Sequence, residues 1–186
     1  MIERIVRLVQ LDWSVFKEIE PDASATAEAA IIVAVTSLLS ALGSAIGSHS
    51  AGASFVSGLV SGLVGWVVWA VVAYLVGKAL FKGRGTLDGM LRVLGYASAP
   101  NILGFFGFVP CIGWLAGLAG WLISLIAGLM AIKEGLDLDL ASAVGVAIVG
   151  WIAMAIVSLI ISVIFGGAIA AALGIVSLLG RAIPSR

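Results

Sequence analysis

The chain has 186 residues, 62% of them hydrophobic, with ten basic and ten acidic side chains that cancel. That balance offers no basic patch for nucleic acid, one cysteine excludes an intramolecular disulfide, and one histidine leaves no metal-ligand cluster or cofactor motif. Four stretches, Ala29–Ser48, Ser50–Gly77, Val93–Ile132 and Leu140–Gly180, hold no charge or histidine at all, which excludes a water-soluble domain and points to an all-α polytopic membrane bundle.

At the start, Ile2, Ile5, Val6, Val9, Trp13, Phe16 and Ile19 recur at helical spacing, with Glu3, Arg7, Gln10, Ser14 and Lys17 mostly opposite. The pattern predicts an amphipathic interfacial helix over residues 1–21, with Trp13 and Phe16 at headgroup level and Pro21 ending it. Glu3, Arg4, Arg7 and Asp12 interrupt any signal-peptide core, so no cleaved leader is expected.

About 20 helical residues cross a hydrocarbon core of roughly 30 Å. On that measure the charge-free runs give five transmembrane spans, at about 27–48, 54–81, 93–110, 113–132 and 142–165. Thr86 is placed as the N-cap of the helix entering the third span, with Asp88 in its first turn, and Pro100 predicts a break there. Pro110 to Gly113 make an apolar turn, and Asp137 or Asp139 is placed as the cap of the fifth span. After Gly166 and Gly167 the segment 168–180 is short for a crossing and is expected as a membrane-associated helix. A sixth span there is the alternative.

Five spans put Arg4, Arg7, Lys17, Lys78, Lys82, Arg84, Arg92 and Lys133 on the N-terminal side, which the positive-inside rule makes cytoplasmic, in the cell membrane. Lys78, Lys82, Arg84 and Arg92 are candidates for contact with anionic lipid. The pairs Gly43 and Gly47, Gly58 and Gly62, and Gly113 and Gly117 have the spacing that lets helices approach closely in lipid. The span centres hold no ionisable group. Their polar side chains are Thr36, Ser37, Ser40, Ser44, Asn101, Ser124, Ser158 and Ser162, and serines in apolar helices ordinarily bond their own backbone. Asn101 stands beside Pro100, whose ring frees a carbonyl near Tyr96 that an amide is able to meet.

The stretch Lys82 to Pro100, with Phe16, Lys17, Glu18 and Ile19 ahead of the first span, resembles the Yip1 domain family of polytopic membrane proteins. The shared motif, Gly-Tyr-x-x-x-Pro entering the third span, falls here on Gly95, Tyr96 and Pro100, and the likeness runs from about Leu11 to Phe165. Eukaryotic members carry an Asp-Leu-Tyr-Gly-Pro type motif and a long soluble arm tied to Rab-GTPase binding. Here the corresponding residues are Asp12 to Phe16 and the arm is short, so the chain looks more like the small prokaryotic members.

Nothing in the sequence sets a nucleophile beside a base, and no enzyme activity or cofactor is expected. The expected role is a membrane-organising scaffold or an accessory subunit of a larger complex. Its partners would be membrane lipids and other membrane proteins, or a second copy. The alternative is a channel or carrier for a small neutral solute, built around the broken third span and lined by Asn101 and serines.

Overall fold

The computed structural model describes residues 1–46, 51–109 and 112–182. Among them there are helices and no strand: α1 (Ile2–Val9), α2 (Val15–Ile19), α3 (Ala25–Ile46), α4 (Ala51–Phe81), α5 (Leu87–Ala97), a 3₁₀ segment (Ala99–Phe108), α6 (Gly113–Gly135) and α7 (Leu140–Ala182). The chain divides into two units, Met1–Gly150 and Trp151–Arg186. In the second, the α7 residues Trp151, Ile152, Leu159 and Val163 are exposed apolar side chains.

Among the described residues, four helices are long and apolar enough to cross a membrane, over Ala25–Gly43, Val56–Phe81, Gly113–Gly135 and Leu140–Ile160. The expected count of five spans, the third of them broken at Pro100, is therefore corrected to four. The stretch placed as a third span over 93–110 is divided between α5 and the 3₁₀ segment. Pro100 lacks an N–H and its ring would collide with the carbonyl of Tyr96, so the α-helix stops at Ala97. Together the two pieces follow α3 along its length: a Cβ on Gly95 would lie 2.6 Å from that of Ala29, and one on Gly43 would lie 2.8 Å from the Gly104 carbonyl. The pair also packs on α6, and α5 on α4, so the core gathers around Met90, Val93, Tyr96 and Ala97.

The N-terminal expectation changes too. Residues 1–21 form two helices, because Leu11 turns left-handed and Arg7, Asp12 and Ser14 close a hydrogen-bonded corner, with Arg7 Nε donating to Asp12 at 2.9 Å and the Ser14 hydroxyl to Asp12 at 2.5 Å. Val15, Phe16 and Ile19 are fully buried, since α2 packs against α5 and α6. Phe16 is thus a core residue, while Ile2, Val6 and Val9 of α1 are exposed. At the other end, α7 continues as helix through Gly166 and Gly167, so no separate helix begins at 168. A glycine pair rarely interrupts a helix whose surroundings are apolar, because no water is present to take the released backbone groups.

Local signals settle the connections. The Thr86 hydroxyl accepts from the Gly89 N–H at 3.0 Å, as the N-cap of α5. Thr86→Ala is expected to cost about 1 kcal/mol of stability, measured by denaturant titration in micelles. The two aspartates after α6 divide the work. Asp137 holds the left-handed position that closes α6, with Leu138 N–H bonded to the Lys133 carbonyl at 2.9 Å, whereas Asp139 caps α7 by accepting from Ala141 N–H at 3.1 Å. Gly83 and Gly85 sit against Leu136 and Gly135, and the Arg84 N–H donates to the Leu136 carbonyl at 2.9 Å. That contact fixes the end of α4 beside the end of α6.

Candidate functional site

Polar chemistry in the first unit collects in two places. The first is a charged cap where α3, α5 and α7 begin and α4 and α6 end. Arg4 binds Asp22 at 2.6 Å and Glu28 at 3.5 Å, and the terminal ammonium of Met1 lies 3.5 Å from Glu28. Arg7 pairs with Glu18 at 2.9 Å, and Lys17 reaches across to Glu134 at 3.3 Å, which also holds Lys133. Arg92 ties α5 to the start of α3, donating to the Thr26 hydroxyl at 2.7 Å and the Glu20 carbonyl at 2.8 Å. The Tyr96 hydroxyl donates to Glu28.

These pairings gather Arg4, Arg7, Lys17, Arg92 and Lys133, five of the eight basic residues that the charge pattern assigned to the N-terminal side. They also correct one assignment: Arg92, grouped with the lipid-contacting candidates, is committed to protein partners. Lys78 donates to the Tyr74 hydroxyl at 2.8 Å and sits over its ring, while Lys82 and Arg84 are exposed.

The cap responds to acid through Asp22, whose carboxyl is held down at about 2, first by the Ser24 hydroxyl and next by Arg4. A depressed folded value contributes stability above the ordinary 3.8 and loses it as pH falls towards 2. Docking of α1 is expected to be intact at pH 5 and weakened near pH 2, read as faster proteolysis within residues 1–14. Asp22→Asn should make that cleavage faster at pH 5 and remove Asp22's share of the acid dependence.

The second place is an open-mouthed cavity of about 720 Å³ between α3, α4 and the α5–3₁₀ junction. On α3 it is lined by Thr36, Ser37 and Ser40, on α4 by Ser57, Ser61, Trp66 and Trp69, and at the junction by Ser98 and Asn101. None of the described lining residues is charged. Trp66 is held by its indole N–H, which donates to the Leu91 carbonyl at 3.0 Å. Thr36 returns its hydroxyl to the Ile32 carbonyl at 2.9 Å, and Ser98 to Gly95 at 2.6 Å. Ser40 lies 3.5 Å from the Asn101 carbonyl.

The sequence singled out Thr36, Ser37, Ser40 and Asn101, and these share the cavity. Ser124 instead donates to the Ala97 carbonyl at 3.1 Å, and Ser158 and Ser162 are exposed in the second unit. Tyr96 and Asn101, placed in one motif, face different neighbours: the tyrosine joins the charged cap and the asparagine lines the cavity. The carbonyls freed as α5 ends are met by Ser98 and Ser124 rather than by the Asn101 amide. Ser57, Ser61, Ser98 and the two tryptophans were missed. On α4 the lining positions 57, 61, 65 and 69 were legible in principle, because they recur at four-residue spacing.

Of the glycine pairs, Gly43, Gly58 and Gly62 face α3–3₁₀ and α3–α4 contacts, Gly113 is buried, and Gly117 has open space beyond it. Gly47, Ser44's side chain, His49 and Cys111 lie outside the described residues. Among the described residues no cluster of His, Cys, Asp or Glu is arranged to hold a metal.

In comparison with known proteins, the family model of the Yip1 domain matches residues 13–161. No curated protein and no solved structure matches the chain.

Proposed function

From the premise that the chain belongs to the Yip1 domain family, whose model covers most of its length, we propose that this helical membrane protein works without chemistry, as a scaffold or accessory subunit. Its partners are membrane lipids and other membrane proteins, or a second copy, and it resides in the cell membrane with its N-terminus cytoplasmic. One observation carries this reading: the outward face of α6. Trp114 and Trp121 are exposed there, and among the described residues nothing lies within 4 Å of a Cβ added at Gly117 or Gly128. Positions 114, 117, 121 and 128 fall on one side of a helix, so large rings alternate with flat glycine surface into which another helix fits closely.

Gentle extraction from the native membrane, followed by identification of stoichiometric companions, tests it. Gly117→Leu should leave the fold intact and release the companion. Absence of any companion or second copy would refute the scaffold role. A second reading, a carrier for a small neutral solute, is favoured by the uncharged cavity lined by hydroxyls and Asn101. Flux into liposomes separates the two.

A further inference from the structure

Three polar groups of the cavity have no hydrogen bond to protein among the described residues: the Ser37 and Ser61 hydroxyls and the Asn101 side-chain amide. They come from three different elements, α3, α4 and the 3₁₀ segment. Within a bilayer an unmet polar group costs several kcal/mol, so such groups gather only where water or a polar ligand satisfies them.

The remaining lining narrows the ligand. Absence of charge among the described lining residues disfavours an ion, because none of these side chains would offset its desolvation. Trp66 contributes ring surface, its one donor being held by Leu91, and Trp69 packs its six-membered ring edge towards Gly150, 3.1 Å from where a Cβ would stand. Two indoles beside hydroxyls and a primary amide suit a compact molecule with C–H faces and a rim of hydroxyls. The volume of about 720 Å³ lies within the range of small-molecule sites.

We infer that this cavity binds a neutral polyhydroxylated ring, supplied either as a free sugar or cyclic polyol or as the uncharged headgroup of a glycolipid. Asn101 donates and accepts at once, Ser37 and Ser61 do the same from the facing helices, and the ring rests on Trp66 and Trp69. The inference deepens the carrier reading by naming the ligand class, and it rests on that reading only for movement across the membrane, not for binding.

The test uses the full chain in phosphatidylcholine nanodiscs prepared without sugar detergents. Free glucose is titrated in one arm, and glucosyl-diacylglycerol is built into the discs in the other, with tryptophan fluorescence as the readout. Saturable response in either arm supports the site, and which arm responds identifies the source. Asn101→Leu and Ser37→Val should each weaken binding about tenfold, while Leu80→Ala, at an exposed position near the end of α4 and away from the lining, should leave affinity unchanged. Ser61→Val, at an exposed position of α4, gives a third variant whose helicity is readily checked. No response to either probe, or binding that these variants leave untouched, overturns the inference. Binding without liposome flux keeps it and removes the carrier reading alone.

Discussion

Phe16→Ala is expected to lower the unfolding free energy by about 3–5 kcal/mol, the usual cost of emptying a buried aromatic site. Phe16 is 0% exposed on a five-residue helix held between α5 and α6, with Val15 and Ile19 equally buried. Its ring stacks on Trp13 at 6.4 Å. So short a helix has little stability of its own and is kept by this packing and by the Lys17 to Glu134 pair. Denaturant unfolding in micelles, monitored by tryptophan emission, gives the value. Were lipid headgroups its neighbours instead, the same substitution would weaken membrane association and leave unfolding nearly unchanged.

Gly95→Val should be at least as damaging. A Cβ at 95 would lie 2.6 Å from the Ala29 Cβ, 3.1 Å from its Cα and 3.3 Å from its carbonyl carbon, so backbone would have to part from backbone. Overpacking of this kind costs about 1–3 kcal/mol where neighbours adjust, and more where the obstacle is main chain. The displacement would also strain Tyr96, whose hydroxyl is bonded to Glu28 beside Arg4. Loss of the thermal transition in Gly95→Val, with Gly117→Val behaving as wild type, is the expected pair of results. A stable Gly95→Val protein would mean that α3 and α5 do not meet closely.

Much of the bundle was legible because lipid leaves few ways to arrange charge. Ranges read from charge-free runs fall within a few residues of α3, α4 and the start of α7, and the basic islands chosen for one side meet there through Arg92, Arg84 and Lys17. Thr86 and Pro100 carried local stereochemistry that tertiary packing left in force. Phe16 was misplaced because helical periodicity reports an apolar neighbour without saying whether it is lipid or protein. Arg92 was misplaced because its sequence neighbours are those of an interfacial cation, whereas its acceptors, Thr26 and the Glu20 carbonyl, are distant in the chain. For the cavity, Ser37 and Asn101 were visible as polar residues in apolar surroundings, but convergence with Ser61 depends on how three elements cross.

The 3₁₀ segment alters how far the chain reaches. Winding at three residues per turn gains about 2.0 Å for each residue, against about 1.5 Å in an α-helix. Its ten residues therefore extend roughly 20 Å, and the eleven of α5 add roughly 16 Å. A stretch too interrupted to form one long apolar helix is thus drawn out, by its narrower coil, along α3. Proline breaks the α-helix here, yet the narrower coil keeps the chain extended beside α3 over a length that ten α-helical residues would not cover.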